Sequence, residues 1–145
     1  MLMDKLSTFA DNLAVTATTQ GEAIDLVKTG RDPGAGEPLY VETFVNEAAA
    51  AAGAATVRVK VITGDTLDGN GDIVSPTTVV NGNSQTLASM VAGARLDPLM
   101  IPAGQALKRY VGIQYDVTTG PLTAGKFTST LVPRMLGNIQ PPAEQ

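Results

Sequence analysis

Asp65, Asp68, Asn70 and Asp72 fall within one glycine-threaded stretch, GDTLDGNGDIVSP, at residues 64–76. Oxygen-bearing side chains crowded in this way are what a calcium ion takes as ligands. An EF-hand loop requires such ligands at its first, third and fifth positions, glycine at the sixth and a bidentate glutamate at the twelfth. Counted from Asp68, the third and fifth positions are Asn70 and Asp72, but Ile73 stands where glycine belongs and Val79 where glutamate belongs. The stretch is therefore not an EF-hand, and no metal site is assigned. Asp68, Asn70 and Asp72 are the ligand set that a calcium site of another kind could draw on. The plainer reading is a polar turn in which Gly69 and Gly71 take positive φ and the Asp and Asn side chains bond nearby backbone.

Other chemistry has less to build on. The chain has no histidine and no cysteine, which removes the commonest proton shuttle, the thiol nucleophile and most transition-metal ligand sets. Glu42 and Asp116 could act as a carboxylate pair on a glycoside. Both, however, fall at strand positions where a water-facing charge needs no special explanation, and 4% aromatic residues with no tryptophan leave little to stack on a sugar. GAGEP at 34–38 lacks the lysine and the Ser or Thr of a phosphate loop and leads into a strand pattern instead of a helix. The expectation is a protein that is not an enzyme and needs no cofactor.

The elements that would position these residues are strands. In PLYVETFVN, Leu39, Val41, Thr43 and Val45 alternate with Tyr40, Glu42, Phe44 and Asn46; in TVRVKVIT, Val57, Val59 and Val61 alternate with Arg58 and Lys60. KRYVGIQYDV and KFTSTLV show the same period of two, which places one face of each strand on a core. Tyr110 and Tyr115 fall on opposite sides of one strand, so at most one of them is core. Weaker strand patterns lie at 86–91 and 99–101. TGRDPGAGEP, TGDTLDGNGD, VNGNS, IPAGQ and TTGPLTAG read as loops. EAAAAAGAAT, interrupted by Gly53, reads as a hairpin tip with at most one turn of helix. Short strands between such loops predict an all-β, jelly-roll-like antiparallel β-sandwich over 14–133. An N-terminal arm over 1–13, helical or extended, and an extended C-terminal tail over 134–145 flank it.

At 145 residues the chain suits one domain. A net charge of −4 with ten scattered basic residues argues against nucleic acid and acidic membranes as partners. No apolar run approaches the ~20 residues of a membrane span. Charged residues make up only 17%, a deficit that suggests a normally covered surface.

GRDPGAGEPLYVETFVNEA, AAGAATVRVKVIT, SPTTV, IPAG, RYVGIQYDV and LTAGKFTSTLV, taken in order, resemble the capsid cement (decoration) proteins of tailed bacteriophages of the Bordetella-phage type. The resemblance runs from Ala14 to Val132. It implies a homo-oligomer, dimer or trimer, on the exterior of the phage head, made in the host cytoplasm and clamping neighbouring major capsid protein subunits. It departs from the pattern in the glycine-rich loop at 65–72 and at 88–100. On this reading the contact residues are Leu2, Leu6 and Phe9 in the arm, Arg31 and Asp32 in the early loop, and Arg134, Pro141 and Pro142 in the tail. The alternative is a virion-associated jelly roll that binds carbohydrate or a receptor, assisted by calcium at Asp68, Asn70 and Asp72.

Overall fold

The computed structural model describes residues 7–26, 39–102 and 107–132. The described residues form nine strands: β1 (Thr8–Ala14), β2 (Thr19–Gln20), β3 (Ile24–Asp25), β4 (Leu39–Ala50), β5 (Thr56–Gly64), β6 (Thr77–Thr86), β7 (Leu99–Ile101), β8 (Tyr110–Thr118) and β9 (Ala124–Val132). They form two sheets, ordered β1-β9-β4-β7 and β2-β8-β5-β6, with β3 also pairing with β8.

The pairing is nested. β1 runs against β9, β2 and β3 against β8, β4 against β7, and β5 against β6, all antiparallel. The chain thus behaves as one long hairpin that has been rolled up, with β4–β9 and β5–β8 contacts closing the layers. First-with-last nesting over two sheets is the jelly-roll order, so the predicted sandwich is the observed one.

The alternating residues meet between the sheets. Val41 and Val45 of β4, Val57, Val59 and Val61 of β5, Val111, Ile113 and Tyr115 of β8, and Phe127 of β9 are all buried in one core. Tyr115 stacks on Phe127 with ring centroids 5.3 Å apart. Its hydroxyl lies 2.6 Å from Ser129 Oγ, which lies 2.8 Å from Thr43 Oγ1, so a buried polar chain crosses from one sheet to the other. Burial pushes the phenol of Tyr115 well up from its ordinary value, against the opposing effect of the Ser129 bond. Tyr110, the tyrosine on the other side of β8, is half-buried beneath Arg109.

Several expectations are corrected. The sandwich begins at Thr8, before the expected boundary at Ala14, because Phe9 and Ala10 carry enough apolar surface to be buried at 0% and 5% exposure. VNGNS lies within β6, where β5 supplies its backbone partners. Gly82 serves close packing there and not a turn, since a Cβ would sit 2.5 Å from Val59 O. Of the strand expected at 86–91 only Thr86, the end of β6, is in a strand: Leu87–Ser89 is a short 3-10 turn, with Ser89 Oγ donating to Thr86 O. EAAAAAGAAT is not a hairpin tip but a crossing between layers, because β4 and β5 belong to different sheets.

Candidate functional site

The Asp68 stretch folds back over the outer face of the β8–β5 sheet. Asp68 Oδ1 accepts from the backbone N–H of Asn70 at 2.8 Å and of Asp72 at 3.0 Å. Gly71 takes φ +87°, a conformation that suits glycine. The carboxylate best placed to begin a cation site is therefore turned onto its own loop. Among the described residues, no three acidic side chains converge in a way that could hold a metal ion.

Two residues anchor this loop. Ile73 is 3% exposed and lies against Gly64 and Gly112, at which an added Cβ would stand 2.2 Å and 3.2 Å from its side chain. Gln20 then holds the Ile73 backbone from both sides: its amide donates to Ile73 O at 3.2 Å and accepts from Ile73 N at 2.8 Å. Sequence reasoning singled out neither residue for this role. The available signal was Gly112 in the middle of an otherwise bulky strand pattern, since a strand glycine often marks close approach by another segment.

Beside the loop is an open cleft of about 810 Å³, bounded by β1, residues 20–23 and residues 67–72. Glu22 N donates to Phe9 O at 2.6 Å and joins the two sheets at this edge. That contact requires Gly21, where a Cβ would stand 2.5 Å from Phe9 O. Asp11, Glu22 and Asp72 all border the cleft, and among the described residues no lysine or arginine does.

The same end of the sandwich is rich in charge. Arg109 grips Asp25 with two nitrogens at 3.2 and 2.9 Å, a contact that raises the guanidinium pKa. Lys108 Nζ lies 3.6 Å from Asp65. Thr63 Oγ1 accepts from Lys108 N at 2.9 Å and donates to Tyr110 O at 2.8 Å.

The connections at the opposite end carry no charge. That end is made by the β1–β2, β4–β5 and β8–β9 connections and by the chain around Met90. No charged residue occurs at 12–21, 48–57, 74–94 or 117–125. Main-chain bonds tie these segments together: Leu122 N to Thr16 O at 2.8 Å, Thr123 N to Ala50 O at 2.7 Å, and Ala49 N to Met90 O at 3.0 Å. Val91 is 54% exposed there, among exposed alanines at 48, 50, 52, 54, 88 and 92.

Glu42 and Asp116 do not form a carboxylate pair. Glu42 lies on the outer side of the β9–β4 sheet, while Asp116 lies on the outer side of the β8–β5 sheet, facing away from it. Glu42 is also not water-facing as expected. It is fully buried, with Arg95 Nε 3.0 Å from its Oε2, in a strip shared with buried Thr128 and Thr130. Asp116 is bound by Lys60 at 2.7 Å, and the hydrogen bond from Lys60 lowers its pKa.

Phe9, expected at a partner contact, is a core residue with no exposed surface. Leu2, Leu6, Arg31, Asp32, Arg134, Pro141 and Pro142 lie outside the described residues, as does the whole expected tail.

A family model described as Bbp16 matches residues 9–131, which takes in the sandwich from β1 to β9. A search of curated proteins finds no match.

Proposed function

Because the chain belongs to the Bbp16 family, whose name suggests a Bordetella phage protein, we propose that it is a structural protein of a phage particle. In this reading it is a capsid cement protein that binds the outside of the head between major capsid protein subunits and stabilises the shell. The family match across every strand of the sandwich is the observation that carries the proposal. Copies associate as a dimer or trimer, and many equivalent contacts on one shell let each be weak.

We assign the uncharged end to the shell contact. Covering it desolvates no ionised group, whereas covering the opposite end buries carboxylates and guanidinium at a large cost. Its four main-chain-tied segments also make a stiff platform, so little entropy is lost on docking.

The test is reconstitution onto heads assembled without this protein. The wild-type chain should bind saturably and raise the temperature at which filled heads release their DNA. Absence of binding would remove the cement reading. The double variant Val91→Glu, Ala52→Glu should fold normally, because both positions are exposed, yet lose at least about tenfold in affinity, a change of about 1.4 kcal/mol. Unchanged affinity would move the contact away from this end.

The cleft at the other end favours a second, ligand-binding role. Sugar is a poor fit to it, because Phe9, the one aromatic among its described lining residues, is fully buried and offers no face for stacking.

A further inference from the structure

We propose that the cleft between β1 and the 67–72 loop receives an extended, lysine- or arginine-bearing segment of a partner protein. This inference does not depend on the cement reading.

Charge complementarity is the first support. Asp11, Glu22 and Asp72 stand around the cleft, and among the described residues none of their carboxylates is engaged in an ion pair. Elsewhere in the described residues, lysine and arginine meet carboxylates repeatedly, as in Lys60–Asp116, Arg95–Glu42, Arg109–Asp25 and Lys126–Glu47. Around the cleft, three carboxylates without an ion pair among the described residues stand at one depression. A cationic side chain that enters gains from this acidic rim.

Shape and apolar lining narrow the occupant. About 810 Å³ lies within the range of clefts that enclose a ligand much larger than one ion. Leu13 and the 36%-exposed Leu67 line it, with Phe9 beneath. Acidic groups beside apolar walls suit the charged head and methylene stem of lysine or arginine on a peptide, and suit a hydrated cation poorly.

The walls are also preformed. Gln20 fixes the loop through Ile73, Asp68 fixes the turn from within, and Glu22 N is bonded to Phe9 O. Binding therefore need not order the site first.

The test uses the full chain and three acetylated octapeptides in which valine alternates with lysine, serine or glutamate. Amide NMR shifts locate binding and calorimetry measures it. The lysine peptide should perturb residues 8–13, 20–23 and 67–72 and bind at least about tenfold more tightly than the serine peptide, with affinity falling as salt rises. The variant D11N/E22Q/D72N should lose about tenfold or more. A control with the same change in net charge, E47Q/D65N/D97N, should lose much less. Equal losses in the two variants, or shifts located elsewhere, would overturn the proposal, because general attraction to an acidic protein would then suffice. Leu67→Ser, at an exposed position, should weaken the peptide but not spermidine. If spermidine binds as tightly as the lysine peptide, the apolar walls contribute nothing and the peptide assignment fails.

Discussion

The two ends of this sandwich are held together in different ways. At the uncharged end the connections are tied backbone to backbone, as in Leu122–Thr16, Thr123–Ala50 and Ala49–Met90. At the charged end main-chain bonds such as Glu22 N to Phe9 O are joined by ties through side chains: Gln20 to Ile73, Asp68 to its own turn, Thr63 to Lys108 and Tyr110, Arg109 to Asp25. A backbone tie leaves the side chain at liberty, so the first end can change its surface without unfolding. A side-chain tie commits the residue, so the second end keeps its shape only while particular residues are kept. Surface identity and shape are thus separable at one end and coupled at the other.

The largest effect is expected where that coupling is deepest. Ile73→Ala removes the side chain that covers Gly64 and Gly112, and neither glycine has atoms that could fill the space. The expected loss is about 3 kcal/mol, within the range of large-to-small substitutions in cores, read as a lower urea midpoint. Val91→Ala at the opposite end should stay within about 0.5 kcal/mol of wild type. Similar losses at the two positions would abolish the distinction between the ends.

Strand existence and facing were legible in the sequence wherever the alternation was strict. In β5, Val57, Val59 and Val61 are buried and Arg58 and Lys60 lie on the other face, as the pattern requires. Legibility failed where the outer face of a sheet is itself covered. Glu42 alternates correctly, yet it is fully buried against Arg95, a partner more than fifty positions away by number that no periodicity links to it. Ile73 is the same case, an apolar residue in a polar loop whose socket is made by glycines on two other strands. Turn propensity misled at 80–84, because Gly82 is selected by the approach of Val59 O and Leu99 and not by a bend. For the Asp68 stretch, side chains bonding local backbone were legible because that chemistry acts over a few residues. The cleft was not, since it needs β1 and the 67–72 loop in one place.

A smaller effect is expected at Gln20, which touches only the backbone of Ile73. Gln20→Leu leaves both Ile73 N–H and C=O without their present partner, at a cost of about 2 kcal/mol for partly shielded groups. Hydrogen exchange should register it more sharply than the denaturation midpoint. The Ile73 amide should lose protection while the Ile113 amide, deep in β8, keeps it. If both amides lose protection together, the loop and the sandwich open as one unit and the charged end is not a separately held structure.

The smallest effect concerns charge between the two ends, at the Lys60–Asp116 pair on the outer face of the β8–β5 sheet. The hydrogen bond from Lys60 lowers the Asp116 pKa, aided by the charges of Lys60 and Arg58 and by Thr18, while partial burial opposes them. A carboxyl with a depressed folded pKa contributes stability that is full above its unfolded pKa and is lost as pH falls through the folded one. Stability should therefore decline on acidification through and below the ordinary aspartate range, and Asp116→Asn should remove that part of the decline. The side chains keep 20% and 26% of their surface in water, so screening holds the contribution to about 0.5 kcal/mol, and added salt should shrink it. Paired denaturation curves for wild type and Asp116→Asn, at neutral pH and near pH 3, measure the difference. An Asp116→Asn protein as acid-sensitive as wild type would place the titrating carboxylates elsewhere.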